Sequence, residues 1–194
     1  MVAMARTKEF DPDVALGAAL ELFWKQGYEG TSMADLVEHL GVGRASLYAT
    51  FGNKQELYLR ALRLYFDSSD PNPVEVLSQP GPALPAVRAL ISMYAESAVT
   101  DPRGCMVVNA AGELLPGNAE VTRFVETNWA TLEGALTSAF MRARAQGELA
   151  PGKDPQALAR FALVFLQGLR LVGKGSPDPA RVRDAAAQAL TLLT

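Results

Sequence analysis

The chain has 194 residues, 49% hydrophobic and 20% charged, long enough for one sizeable core or two smaller ones. A formal net charge of −3 excludes the broadly basic surface that binds nucleic acid by charge alone. One cysteine, Cys105, and one histidine, His39, exclude an internal disulfide framework and leave no zinc site to argue for.

From the N-terminus, Asp11 and Pro12 open a helix whose apolar face runs Ala15, Ala18, Ala19, Leu22 and Phe23 and which ends at Gly27. Ser32 with Asp35 has the form of a capping box. Leu36, Val37 and Leu40 give the helix that follows an apolar side, and Gly41 suits the left-handed conformation that ends it. The chain turns over Gly41 to Gly43, and a second helix begins near Arg44. Helix, short Gly-containing turn, helix is the helix-turn-helix pattern, whose second helix lies in the DNA major groove.

Reading bases calls for short donors, acceptors and methyl groups, and holding phosphates calls for cations and hydroxyls. Arg44, Ala45, Ser46, Tyr48 and Thr50 supply that mixture, while Leu47 and Phe51, four apart, point back to hold the helix on its neighbours. Asn53 caps the next helix with Glu56 at the capping-box position. Lys54 falls in its first turn, where free N–H groups and the helix dipole already favour an anion, and is expected at a phosphate. The first 60 residues hold six Lys or Arg (Arg6, Lys8, Lys25, Arg44, Lys54, Arg60) against eight Asp or Glu. Nonspecific affinity is therefore expected to be modest and to rest on a few placed cations.

Leu57, Ala61, Leu64 and Tyr65 continue that fourth helix, which ends before the connector at 67–73. Five prolines between 70 and 85 (Pro71, Pro73, Pro80, Pro82, Pro85) predict a loop and a domain boundary, giving domains 1–66 and 67–194. Beyond it, Val87, Leu90, Ile91 and Tyr94 form a helix face, and a shorter helix runs from about Cys105 to Leu115, stopped by Pro116 and Gly117. Asn118 caps a long helix with Val121, Phe124, Val125, Asn128, Leu132, Ala135, Leu136 and Ala139 on one stripe. Asp154 and Pro155 start another, apolar nearly all round from Phe161 to Val172, which predicts burial on more than one side. A last helix carries Val182, Ala185, Ala186, Ala189 and Leu190 on one side. The fold class is all-α, with about nine helices.

The run from Tyr28 to Leu62, YEGTSMADLVEHLGVGRASLYATFGNKQELYLRAL, resembles the N-terminal domain of the TetR family of transcriptional repressors. The resemblance rests on Gly27 and Tyr28, Thr31, Gly41 and Val42, Leu47 and Tyr48, Phe51, and Lys54 with Glu56 and Leu57. It implies phosphate contacts at Thr31, Tyr48 and Lys54, and base-facing positions at Gly43, Arg44, Ala45, Ser46 and Ala49. Many relatives carry a polar or aromatic residue where Ala49 stands, so a contact there would be apolar, such as packing on a thymine methyl.

The resemblance further implies a homodimer joined through the last two helices, which places two heads on successive major grooves of a roughly palindromic double-stranded operator. Gly168 and Gly173 would allow close approach there, although periodicity alone leaves both helices equally readable as core. It also implies a small-molecule effector that releases DNA from the middle helices. Met93, Tyr94, Met106, Asn109, Glu113, Phe124, Asn128, Trp129, Phe165 and Gln167 mix large apolar and polar types there; singly, each reads equally as core or surface.

Cys105 follows Gly104 at a helix start, where free N–H groups favour a thiolate. With Lys174 in GLRLVGKG, it resembles a branch of the family whose members sense electrophiles or oxidants; the alternative is a small buried packing residue. Arg170 has no local partner that fixes its role, and Arg142 and Arg144 read as a solvated face.

The sequence calls for no cofactor, no metal and no catalytic constellation, and neither a Gly-rich phosphate loop nor a Ser-His-Asp pattern stands in it. No apolar run approaches the ~20 residues that span a bilayer, and MVAMARTKEF lacks a secretion segment. The expectation is a cytoplasmic DNA-binding regulator with no membrane partner. Its rivals are an enzyme and a helical protein-interaction adaptor.

Overall fold

The structure is a computed structural model that describes residues 10–69, 71–115, 117–176 and 178–193; Arg6, Lys8 and the expected stop at Pro116 lie outside them. Among the described residues it is all helical: α1 (Pro12–Gln26), α2 (Met33–Leu40), α3 (Arg44–Phe51), α4 (Lys54–Asp67), α5 (Pro73–Ser78), α6 (Ala83–Thr100), α7 (Met106–Leu114), α8 (Ala119–Ala145), α9 (Pro155–Gly173) and α10 (Ala180–Leu192). The chain divides into two compact units between Ser68 and Ser69.

In the first unit, local chemistry sets each helix end. The Asp11 carboxylate accepts from the backbone N–H of Asp13 at 2.9 Å, and Pro12 takes the first helical position, where no N–H is needed. Gly41, at φ 63°, closes α2 in the left-handed region. α1 packs on α4 and α2. Phe23, Leu36, Leu47, Phe51, Leu57, Tyr58, Ala61 and Leu62 are all buried. Three aromatic rings tie this core together: Tyr58 meets Phe23 edge-on at 5.0 Å and Tyr28 at 4.9 Å.

The second unit is built on α6, α8 and α9, with α10 packed on α6 and α7 on α8 and α9. Its core includes Leu90, Ile91, Leu136, Phe140 and Leu166. Among the described residues the chain has ten helices, one more than the nine the sequence suggested. α5 forms inside the proline-rich stretch because Asn72 caps it, its Oδ1 accepting from Val74 N at 2.9 Å, and Pro73 sits at its first position. The proline count hid this helix, since proline breaks interiors but suits first turns. The same reason lets α6 begin at Ala83 and carry Pro85 in its first turn.

Arg142 does not lie on a solvated face. Its guanidinium donates to the carbonyls of Leu77 at 2.9 Å and Gln79 at 3.3 Å, holding the C-terminal end of α5. Beyond it, Gln146 and Glu148 accept from Ala83 N and Leu84 N at 3.1 and 2.6 Å, so the turn that follows α8 caps α6. Arg144 is exposed.

α9 departs from expectation in three ways. At 19 residues and mean hydropathy 1.2, it is long and apolar enough by length and composition to cross a membrane, so an apolar stretch of near-spanning length does exist. It packs on α6 and α8, carries Arg170, and joins Arg160 Nε to Glu133 Oε1 at 3.1 Å, as a helix in water does. Its burial is also one-sided. Ala159, Ala162, Leu166 and Leu169 face the core, whereas Val164 is 71% exposed and Leu171 61%, with Phe161 and Val172 also exposed. Finally, Gly173 serves contact within the chain: a Cβ there would stand 2.5 Å from the Ala98 carbonyl oxygen, while Gly168 has open space.

Candidate nucleic-acid interface

The head presents α3 with one face in and one face out. Leu47 and Phe51 are buried, and Arg44, Ala45, Tyr48 and Ala49 are exposed, with Ser46 and Thr50 half-buried. Gly43 is the N-cap and offers no side chain to the free N–H groups of the first turn, which leaves them open to an outside acceptor. Tyr48 is 41% exposed, large for an aromatic side chain, and the Arg44 guanidinium lies 5.8 Å from its ring centroid. Both side chains therefore belong to one outward patch, able to offer donors and a flat ring to a groove.

Two complete capping boxes hold the helices that flank this patch. Ser32 Oγ accepts from Asp35 N at 3.1 Å, and the Asp35 carboxylate accepts from Ser32 N at 2.7 Å. The Ser32 hydroxyl first and the Ser32 backbone N–H second, both acting on the carboxylate, hold the Asp35 carboxyl below its ordinary range, with the Lys54 ammonium adding to the effect. Asn53 and Glu56 repeat the arrangement at α4, at 3.0 and 2.9 Å. The Glu56 carboxylate folds back so closely that a Cβ on Gly52, at φ 77°, would collide with it. Position 52 therefore favours glycine.

Thr31 sits differently from the expected phosphate contact. It is 0% exposed, and its hydroxyl donates to the Gly27 carbonyl at 2.7 Å, tying the turn between α1 and α2. Its side chain is engaged inside the head. Two residues outside the sequence-derived site lie next to it. Arg60 donates to the Thr50 carbonyl at 3.3 Å, anchoring the C-terminal end of α3. Tyr28 lies beneath Lys54, whose ammonium is 4.1 Å from its ring centroid. Burial first and the Glu29 charge second raise the Tyr28 phenol above its ordinary value, so it is neutral near pH 7. No spacing rule joins Tyr28 to Lys54 across 26 positions; only a basic residue in a capped first turn hinted that something would hold it.

In the second unit, Tyr94 and the partly buried Met93 and Phe165 share the core of α6, α8 and α9. Met106 is fully buried on α7. Asn109 donates to the Arg103 carbonyl at 3.0 Å and so serves the loop before α7. Glu113 is exposed. Phe124, Asn128, Trp129 and Gln167 are half-buried. Among the described residues, Asn128 Oδ1 and Trp129 Nε1, neighbours on α8, are buried without a hydrogen-bonding partner, an arrangement that costs stability unless a polar group arrives.

Cys105 is 4% exposed and is the N-cap of α7. The group that reaches its sulfur is Arg170, whose Nη1 lies 2.8 Å from Sγ and whose guanidinium covers the Tyr94 ring at 3.9 Å. Burial raises the Tyr94 phenol above its ordinary value, against the nearby arginine, which lowers it. Lys174 packs with its stem: a Cβ on Gly104, at φ 71°, would lie 3.2 Å from Lys174 Cβ. Arg170 on α9 thus joins α6 and α7 in one cluster, a role no local sequence pattern could reveal.

Residues 15–61 match the family model described as bacterial regulatory proteins, tetR family, and residues 83–190 match the tetracyclin repressor-like C-terminal domain. The chain is 36% identical over 194 residues to the uncharacterized HTH-type transcriptional regulator YezE of Bacillus subtilis (strain 168), covering 98% of this chain and 100% of that one. It is 30% identical over 190 residues to the HTH-type transcriptional repressor ComR of Escherichia coli (strain K12), covering 96% and 90%. Among solved structures, a cysteine mutant of the TetR family transcriptional regulator CifR, complexed with 26-base-pair double-strand operator DNA, superposes with a TM-score of 0.84 at 31% identity, covering 98% of this chain and 100% of that one.

Proposed function

Because the chain belongs to the TetR family of bacterial transcriptional regulators, we propose that it represses transcription by binding a palindromic operator as a homodimer and releases it when a small molecule occupies the second unit. The outward face of α3 carries this reading. Arg44, Ala45, Tyr48 and Ala49 stand exposed on a helix whose other face is buried, the geometry a recognition helix needs to enter the major groove. Gly43, Arg44, Ala45, Ser46 and Ala49 face bases, and Tyr48 and Lys54 face phosphates. Thr31 contributes through the turn it ties.

The exposed stripe of α9, Phe161, Val164, Leu171 and Val172, supports the dimer, since a water-facing row of that kind calls for a covering surface. With α10 it would form a four-helix bundle with a second copy. Half-sites one helical turn apart then match two heads related by a twofold axis. Asn128 Oδ1 and Trp129 Nε1, which have no hydrogen-bonding partner among the described residues, support an effector near α8 that brings both a donor and an acceptor. Release follows if that effector binds the non-DNA-binding spacing of the heads more tightly than the binding one.

The protein acts as a cytoplasmic regulator without catalysis or cofactor. A second reading, sensing through Cys105, draws on the Arg170 guanidinium at its sulfur. If Cys105→Ser protein releases DNA on electrophile treatment as the parent does, that reading is lost. The main test is selection of bound duplexes from a random pool, followed by release assays with a small-molecule panel. A recovered inverted repeat is the expected outcome; failure to enrich any duplex at low salt would defeat the reading.

A further inference from the structure

Lys54 is the first residue of α4, next to a capped helix start. Among the described residues its ammonium makes no salt bridge; what it meets is the face of Tyr28, 4.1 Å away at the ring centroid. Asp35, an acidic group whose charge it feels, has its carboxylate bonded to Ser32 N at 2.7 Å. The Tyr28 ring is itself fixed. It lies 6.4 Å from Phe23 at 19° and 4.9 Å from Tyr58 at 63°, and both of those side chains are fully buried. A long, flexible lysine stem thus ends on a rigid aromatic platform built by α1 and α4.

A lysine side chain carries large rotamer freedom, which a phosphate contact must remove. A ring face attracts the ammonium without neutralising it, because the attraction comes from the ring quadrupole and the charge is kept. A carboxylate partner would do the opposite: hold the lysine and cancel the charge the phosphate needs. We infer that Tyr28 is a positioning residue for DNA binding, whose aromatic face pre-orders the Lys54 ammonium toward a backbone phosphate while leaving its charge unpaired. This rests on the reading of Lys54 as a phosphate contact made above. It adds a residue on the connection between α1 and α2 to an interface otherwise formed by α3 and α4.

Binding of the duplex selected by the chain tests it, with Phe and mono-, di- and trifluorinated Phe introduced at position 28. These keep the ring's size and packing while draining negative charge from its face. Tyr28→Phe is the reference for the series. Fluorination should weaken binding stepwise, to roughly two- to fivefold in all, the range of a partly exposed cation–π contact. In a Lys54→Met background the series should be flat. Lys54→Met alone should lower the slope of log affinity against log salt by about 0.9, the share of one phosphate. A flat series in the Lys54 protein, with the Lys54→Met loss intact, would overturn the inference and leave the phosphate contact standing. An unchanged salt slope in Lys54→Met would overturn both.

Discussion

In the first unit the helix starts that frame the reading face are capped across three positions, Ser32 with Asp35 and Asn53 with Glu56. The second unit caps α5, α8 and α9 locally as well, but adds side-chain bonds that cross 65 positions, Arg142 to Leu77 and Arg170 to Cys105. The head gathers its functional side chains on α3 and at the adjoining start of α4; the second unit gathers them from α6, α7, α8 and α9. A head built from local bonds can keep its reading face constant. A core closed by distant bonds can change when one of its helices shifts, which is what a sensor requires.

That contrast breaks most visibly if the head depends on the second unit for its stability. Phe23→Ala removes a fully buried ring that touches both Tyr28 and Tyr58, and should cost about 3–5 kcal/mol. Denaturant unfolding followed by circular dichroism should show an early transition for the head, with most helix signal surviving to the parent midpoint. One merged transition would mean that the two units fold as one. Gly173→Ala tests the long-range side. Its new Cβ would press on the Ala98 carbonyl oxygen at 2.5 Å, and roughly 1–3 kcal/mol should be lost from the second transition alone.

Asn53→Ala, by contrast, removes one cap and should cost about 1 kcal/mol, confined to the head transition. The smallest effect is a pH dependence. The Asp35 carboxyl is held below its ordinary value of 3.8 by its bonds to Ser32. Its stabilising share is therefore complete above that value and is lost as pH falls through the lower folded value. The stability difference between the parent and Asp35→Asn should be constant above about pH 5 and shrink in acid. A difference that grows on acidification would reverse the assignment.

The same contrast explains what could be read in advance. Both capping boxes, the Gly41 turn and the inward pair Leu47 and Phe51 follow from residues three or four apart, and all are present. α5 is hidden in the sequence because five prolines outweigh a single Asn72 cap. Arg142 looked solvated because the carbonyls it serves lie 65 and 63 positions away. The family resemblance pointed to Thr31 as a phosphate contact, but neighbouring residues do not reveal that its hydroxyl turns inward to Gly27. Among the candidate effector residues, only packing could tell exposed Glu113 from buried Met106.

The central claim is that the outward face of α3 reads DNA. It is tested most directly by equilibrium binding of the selected duplex to the parent, Arg44→Ala and Tyr48→Ala, with thermal unfolding measured alongside. Both side chains are exposed, so unfolding midpoints should stay within a degree or two, since surface changes of this kind cost little. Arg44→Ala should lose about 1–3 kcal/mol of binding and relax preference at one base position. Tyr48→Ala should weaken all duplexes alike. Parent-like affinity and selectivity in both variants would contradict the account.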